Sequence, residues 1–320
     1  MKPILIALAF ACTLGVHAQT RKSMFVFQNN FWLNLHQFVR GEVYRRSAKA
    51  APGIDLVSLD EMDRAAWTAA VDAYSDLGKR DLVFDESLRR VANTLAMVGN
   101  VQRLPDSLIP IIGANTTAAL NEAAPLYRAR LWPARQRDND AWIASAKALL
   151  ERHEAEMAAL LAAMYHITWP SDPILVDVVG EAGPNSAVTH DGPAGFAAHT
   201  QASAGSRRNT GDAPLELLFH EAAHTGSVEG RIQTMINDES ARQKLDPPDN
   251  LWHAMIMFTS GAVARRELAK AGAAEYVPYA YRYNQYTPAE RSAFERDWQP
   301  YLDGTVPLDQ ALHDLVRDDR

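Results

Sequence analysis

Apolar residues recur at helical spacing through most of the first half of the chain. The pattern predicts a series of helices, which cover residues 25–46, 58–77, 85–98, a segment within 110–133, and 141–165. The last of these is rich in alanine and leucine, and Pro170 and Pro173 follow shortly after it. Because proline interrupts a helix, we expect this helix to end before residue 170.

The pattern changes after about residue 169. Residues 174–179 read ILVDVV, a β-branched run of the length of a strand, and short strands are predicted around 187–189 and 196–202. Helical spacing returns at 214–236 and 251–271. We therefore predict an α+β fold that is predominantly helical, with a helical N-terminal half (19–168) followed by a small sheet and further helices (169–320).

The first eighteen residues have the pattern of a secretory signal peptide. Lys2 precedes an apolar run over residues 4–16, and Val16 and Ala18 are small residues suited to a cleavage site. Cleavage would remove Cys12, the only cysteine. A lipoprotein acylated at Cys12 is the alternative, although Ala9 and Phe10 do not suit a lipobox. We expect a secreted or periplasmic product without a membrane segment after cleavage.

Composition excludes several classes of function. The 320 residues are 47% hydrophobic with a net charge of −7, which is ordinary for a globular protein. An acidic chain without a Lys/Arg block is not expected to bind nucleic acid. Without a cysteine in the mature chain there is no thiol nucleophile, and any metal must be bound by histidine and carboxylate side chains.

One motif carries most of the chemistry. Residues 217–226 read LLFHEAAHTG, in which His220-Glu221-Ala222-Ala223-His224 is an HExxH sequence. On a helix, His220 and His224 are four residues apart and share one face, where both rings can bind a single Zn²⁺. Glu221 lies about 60° around the helix from His224, so its carboxylate is suited to take a proton from a water on the metal rather than to bind the metal.

This segment resembles the active-site helix of the zincin metallopeptidases. The resemblance implies zinc, with His220 and His224 as ligands and Glu221 as the general base, and a zincin-like metal-binding catalytic domain over residues 169–320. It also implies a peptide or protein substrate. The metzincin extension requires Gly at 227 and His at 230, where this chain has Ser227 and Gly230. The chain is therefore closer to the gluzincins.

The third metal ligand is less determined by the sequence. The candidates are Glu229, Glu239, His253 and Glu267. We predict His253, which follows His224 by 29 residues and lies near the start of an apolar helix, whose dipole disfavours the imidazolium form. Glu267 is the main alternative, and it is about 21 Å further along the same helix, so both cannot bind one ion.

Other groups are candidates for the same site. Zincin chemistry needs a donor for the developing oxyanion. We predict Tyr283 from a set that also contains Tyr279, Tyr281, Arg282 and Tyr286. His36, His190 and His199 are outside candidates. Zincins place an edge strand before the active-site helix, and residues 187–202 occupy that position.

The sequence therefore predicts an exported zinc-dependent hydrolase, most simply a metallopeptidase. A non-catalytic binding protein with a zincin fold, and a zinc hydrolase of a non-peptide amide or ester, remain alternatives.

Overall fold

A four-stranded mixed sheet separates two helical layers. The computed structural model describes residues 22–182 and 186–318, so the predicted signal peptide lies outside the described residues. The strands are β1 (Phe25–Gln28), β2 (Ile174–Val179), β3 (Ala187–His190) and β4 (Ala198–Ser203). Their order in the sheet is β1-β2-β4-β3. β1, β2 and β4 are parallel, and β3 runs antiparallel to β4 at the edge.

Helices make up most of the rest of the described chain. They are α1 (Phe31–Ser47), α2 (Glu61–Ala73), α3 (Glu86–Ala96), α4 (Ile109–Ile112), α5 (Ala114–Arg130), α6 (Trp132–Tyr165), α7 (Ala213–Ala223), α8 (Gly226–Gln243), α9 (Leu251–Lys270), α10 (Tyr279–Arg282), α11 (Pro288–Ala293), α12 (Gln299–Leu302) and α13 (Leu308–Asp318). The predicted α+β fold, predominantly helical, is confirmed. No helix in the described ranges is both long and apolar enough to cross a bilayer.

Each face of the sheet packs on its own hydrophobic core. Successive side chains of a strand point to opposite faces, so β2 contributes to both. Ile174, Val176 and Val178 pack with α6, α7 and α9, whereas Leu175 and Val179 pack with α1, α2 and α5. All six residues of β2 are buried, which explains the unbroken apolar character of most of the strand.

Three predicted helices were wrong in their boundaries. The predicted helix 141–165 begins nine residues earlier, at Trp132. Residues 25–28 of the predicted helix 25–46 form β1, because Phe25 and the three residues after it pair with β2. The helix begins only at Phe31, where Asn30 is the N-cap and its side chain accepts a hydrogen bond from the Leu33 amide. The predicted helix 214–236 is two helices, since the backbone at Thr225 leaves helical geometry (ψ 130°) between α7 and α8.

The predicted boundary at residues 168 and 169 stays a prediction. Contacts cross it at two places, because β1 pairs with β2, and α6 packs against α7 and α9. The N-terminal segment therefore contributes one strand and the longest helix to the layer that contains α7.

The sheet face toward α1 and α3 carries a buried polar cluster. His199 on β4 and Asp177 on β2 are both 0% exposed, and His199 Nε2 lies 2.8 Å from Asp177 Oδ2. Asp177 Oδ2 also accepts from Gln28 Nε2 at 2.8 Å. Asn93 donates its amide to the Asp191 carbonyl, which turns its Oδ1 toward His199 Nδ1 at 2.8 Å. Both ring nitrogens of His199 therefore have hydrogen-bonding partners in the buried layer.

This cluster continues into α1 and the edge strand. Gln201 on β4 accepts from Gln37 of α1, and its own amide nitrogen lies 3.2 Å from His190 Nε2. His36 is also buried on α1, 3.0 Å from the Tyr74 hydroxyl. Hydrogen bonds therefore join α1, α3, β2, β3 and β4 across a layer that is otherwise apolar.

We predict that Asp177→Asn lowers the free energy of unfolding by about 3 kcal/mol, because it disrupts the buried carboxyl group that contacts both His199 Nε2 and Gln28 Nε2. The measurement is urea-induced unfolding followed by circular dichroism. Asp138→Asn, at an exposed aspartate on α6, is the matched control and is expected to change stability by less than about 0.5 kcal/mol. Equal stability of the two variants would contradict a stabilising role for the Asp177 carboxyl group.

Candidate metal centre

Helix α7 is buried but carries polar side chains along one face. Glu216, His220 and His224 follow one another at four-residue intervals, so they are stacked on the same side of the helix. The opposite side contributes Leu215, Leu218 and other apolar residues to the core. A buried helix with this polar face requires partners from the elements around it.

Three histidines converge at the C-terminal end of α7. The potential ligand nitrogens of His220, His224 and His253 all lie within 4.8 Å of one another, and no other such group of three is found in the described ranges. Their ring centroids are 5.0 to 5.3 Å apart. His253 comes from the first turn of α9, which packs against α7.

The separation of two of these rings fits a bound zinc ion. His220 Nε2 and His224 Nε2 are 3.3 Å apart. Zinc–nitrogen bonds of about 2.0–2.1 Å in a tetrahedral arrangement place two ligand nitrogens about 3.3–3.4 Å from each other. The three imidazoles are therefore suited to Zn²⁺, and the described residues provide three ligands rather than the four of a structural zinc site.

Burial sets the protonation of two of the rings. Burial, followed by the charges of His224 and His253, lowers the pKa of His220 well below its usual value. Burial, followed by the charge of His224, lowers the pKa of His253 to about 4. Both rings are therefore neutral near pH 7, which is the form that binds a metal.

His224 is held by a carboxylate on the next helix. Its Nδ1 donates to Glu229 Oε2 at 3.1 Å, so Nε2 faces the other two histidines. Burial lowers the pKa of His224, but this hydrogen bond and the charges of Glu221 and Glu229 outweigh that effect and raise it. A carboxylate on the second ring nitrogen is the usual way in which proteins orient a metal-binding histidine.

Glu221 is held on the other side by the edge strand. It is 5% exposed, and its Oε2 accepts from Thr189 Oγ1 at 2.7 Å. Thr189 in turn lies 2.7 Å from Thr200 Oγ1 on β4. Burial raises the pKa of the Glu221 carboxyl, although His224 and the Thr189 hydrogen bond oppose the shift. The described residues form no hydrogen bond with the second oxygen, Oε1, and Glu221 is one of the residues that line the cavity.

These residues line one open cavity of about 690 Å³. Its walls include the three histidines, Glu216, Glu221 and all four residues of β3. Part of its lining comes from the segment 276–285, which follows α9. The cavity is large enough for a short peptide segment or a molecule of comparable size.

Glu216 connects the segment 276–285 to α7 by hydrogen bonds. Its carboxylate accepts from the Tyr276 hydroxyl at 2.7 Å and from the Tyr279 amide at 3.0 Å. A Cβ at Gly261 of α9 would lie 2.8 Å from the Pro278 side chain and 3.0 Å from Glu216 Oε1. Glycine at 261 therefore allows the two helices and the loop to meet at one point.

The structure places the predicted site residues in two groups. His220, Glu221, His224, His253 and Tyr283 all line the cavity, although the catalytic role of Tyr283 stays a prediction. Of the remaining candidates, Tyr279, Arg282, His190 and Glu229 also line it. The others lie elsewhere: Glu239, Glu267, Tyr281, Tyr286, His36 and His199.

Glu267, the alternative third ligand, is bound in a separate interaction. Its Oε1 lies 3.3 Å from His153 Nδ1 on α6, and Lys270 forms an ion pair with Oε2 at 3.0 Å. Glu239 likewise contacts His313 and Arg242. Neither carboxylate belongs to the group around His253.

Three contributors were not predicted from the sequence. Glu229 was considered only as a ligand, whereas the turn at Thr225 brings it to the outer nitrogen of His224. Thr189 had no signal beyond its place in a short strand. Glu216 did have a sequence signal, since it precedes His220 by four residues and must lie on the same face of the helix.

Comparison with known proteins gives no match to a protein-family model, a curated protein or a solved structure. The chemistry of the site therefore has to be inferred from its own residues.

We predict that Glu216→Gln removes part of the pH dependence of stability. Burial raises the pKa of Glu216 from 4.5 to about 7, so ionisation disfavours the folded state. This contribution is fully present below pH 4.5 and is lost as the pH rises through 7, a change of about 3 kcal/mol. The measurement is urea unfolding of both proteins from pH 4 to 8.

The glutamine variant keeps an acceptor for Tyr276 and cannot ionise, so its stability should fall less over this range than that of the wild type. Glu151→Gln, at an exposed position of α6, is the control and should retain the wild-type profile. Parallel profiles for Glu216→Gln and the wild type would contradict the prediction.

Proposed function

We propose that this protein is an exported zinc-dependent hydrolase that cleaves peptide bonds. The observation that carries the proposal is the meeting of His220, His224 and His253 beside the buried carboxylate of Glu221, in the wall of an open cavity. The HExxH sequence and its resemblance to the zincins point to the same chemistry.

The arrangement favours a catalytic metal over a structural one. Within the described residues the cluster has three ligands, which leaves a position for water or substrate. A structural site needs no general base, yet Glu221 is buried next to His224 and oriented by Thr189. A non-catalytic binding protein does not account for this carboxylate.

The reaction would use the chain's own residues as follows. When bound, zinc polarises the scissile carbonyl and acidifies a water molecule. The Glu221 carboxylate, fixed through Oε2, accepts a proton from the attacking water at Oε1 and later transfers it to the leaving nitrogen. Glu229 keeps the Nδ1 proton of His224 in place, so that Nε2 stays directed at the site. Tyr283 is the proposed donor to the oxyanion.

The edge strand supports a peptide as the substrate. β3 is the last strand of the sheet, so within this sheet one of its backbone edges has no partner strand. All four of its residues line the cavity beside Glu221. An extended peptide can pair with such an edge by main-chain hydrogen bonds. An ester or non-peptide amide substrate would make no use of that edge.

The proposed location rests on the predicted signal peptide of residues 1–18. Removal of this segment would release the enzyme to the periplasm or the medium. The net charge of −7 gives no reason to expect a nucleic-acid partner.

We expect about one zinc per chain in the purified wild-type protein, and His253→Ala is expected to lose most of it, because two histidines hold zinc far more weakly than three. Elemental analysis after dialysis measures both. His166→Asn, at an exposed histidine with φ 52°, is the control, since asparagine tolerates this backbone conformation. Full zinc in His253→Ala would move the third ligand to another residue.

We expect Glu221→Gln to keep its zinc but to lose hydrolysis of a quenched fluorescent peptide library by at least about 100-fold, because the amide cannot accept the water's proton. Zinc content and thermal unfolding of the variant show whether the site and the fold are intact. Undiminished hydrolysis would exclude Glu221 as the base. Cleavage of ester substrates alone by the wild type would favour the non-peptide alternative.

A further inference from the structure

The cavity that holds the three histidines also contains positive charge without a partner. Arg89, Arg208 and Arg282 line it. None of the three forms an ion pair within 4 Å in the ranges that the structure describes. Their contacts are to neutral groups, namely the Val83 carbonyl for Arg89 and tyrosine side chains for the other two. Carboxylates outnumber the arginines in the lining of the same cavity, so the arginines are distinguished by their lack of an ion pair and not by their number: the acidic residues are Asp81, Asp191, Glu216, Glu221 and Glu229.

The glutamates of the cavity, by contrast, already have donors. Glu216 accepts from Tyr276 and Tyr279, and Glu221 accepts from Thr189. Glu229 accepts from His224. These three carboxylates are therefore engaged by other residues, and none of them forms an ion pair with an arginine of the cavity among the described residues.

Arg208 is held in place despite its exposure. Its Nη1 donates to the Tyr279 hydroxyl at 2.9 Å, and its guanidinium carbon lies 4.7 Å from the ring centre of Tyr283. The rings of Tyr279 and Tyr283 are themselves 4.8 Å apart. An arginine side chain fixed by stacking and a hydrogen bond loses less conformational freedom when it binds a ligand.

A residue of α7, the helix that carries two of the three histidines, holds Tyr279 in position. Glu216, one turn before His220, binds the backbone amide of Tyr279. The position of the guanidinium is thereby tied to α7, which carries two of the three histidines. Arg208 is therefore linked to the helix of the metal centre through Tyr279 and Glu216.

We infer that Arg208, together with the Tyr279 hydroxyl, binds a carboxylate group of the substrate. The guanidinium has Nε and Nη2 free to donate, and the Tyr279 hydroxyl, which accepts from Nη1, still has its own proton to donate. A carboxylate has two oxygens that match such a planar set of donors. The inference rests on the proposed function, since it names a substrate group for the same cleft.

A substrate carboxylate can come from a peptide C-terminus or from an acidic side chain, and four peptides distinguish the two. They are acetylated alanine-rich pentapeptides around one phenylalanine: one with a free C-terminus, its C-terminal amide, and two amides that carry an internal glutamate or an internal glutamine. Binding is measured by calorimetry on the zinc-loaded Glu221→Gln protein, which holds the peptides without cleaving them.

We expect at least one acidic peptide to bind about tenfold more tightly than its neutral partner. Adding Arg208→Met should remove this preference, and Arg208→Lys should retain part of it, because lysine keeps the charge without the planar donor set. Arg207→Met is the matched control: this neighbouring arginine is exposed but does not line the cavity, and the preference should persist. Preference for the free C-terminus alone identifies the chain end, and preference for glutamate alone identifies a side chain.

Equal binding of acidic and neutral peptides, no binding of either acidic peptide, or a preference that survives Arg208→Met would overturn the inference. Hydrolysis of the same peptides by the wild type separates it from the proposed function. Cleavage without acidic preference would support the hydrolase and exclude the role of Arg208. Acidic preference without cleavage would support Arg208 and contradict the hydrolase.

Discussion

The rest of the structure depends on one constraint: the polar side chains on one face of the buried helix α7 need partners from other elements. Helix α7 presents Glu216, His220, Glu221 and His224 in the interior of the protein, where an unpartnered polar group is costly. Each neighbouring element provides a partner for one of these side chains. The edge strand, helix α8, helix α9 and the loop after α9 provide, respectively, a hydroxyl, a carboxylate, a third imidazole and a tyrosine. The candidate site is thus the point at which four separate segments must meet.

The sheet connects this layer to the N-terminal helices and gives each face a different character. Toward α7 the strands present apolar residues and the pair Thr189 and Thr200. Toward α1 and α3 they present His199 and Asp177 with their amide partners. Directional hydrogen bonds restrict how the helices can slide over the sheet more than apolar contacts do. The edge strand that holds Glu221 is therefore supported from both sides.

The class of fold could be predicted from periodicity, but several element boundaries could not. The run at residues 25–28 fits a strand as well as a helix, and only pairing with β2 some 150 residues later decides between them. The break at Thr225 interrupts a pattern that is helical on both sides. The short chain between α7 and α8 is what turns Glu229 back toward His224. Both outcomes depend on contacts that a local pattern does not contain.

For the site, the sequence by itself determined what a single helix can determine. Four-residue spacing places His220 and His224 on one face, with Glu221 beside them, whatever surrounds the helix. It also made His253 the preferred third residue, and the structure brings that ring to the other two. Only the tertiary structure decided that Glu267 lies elsewhere and that Arg208 shares the cavity. The reason is that packing between helices and loops far apart in the chain sets those distances, and sequence spacing does not encode them.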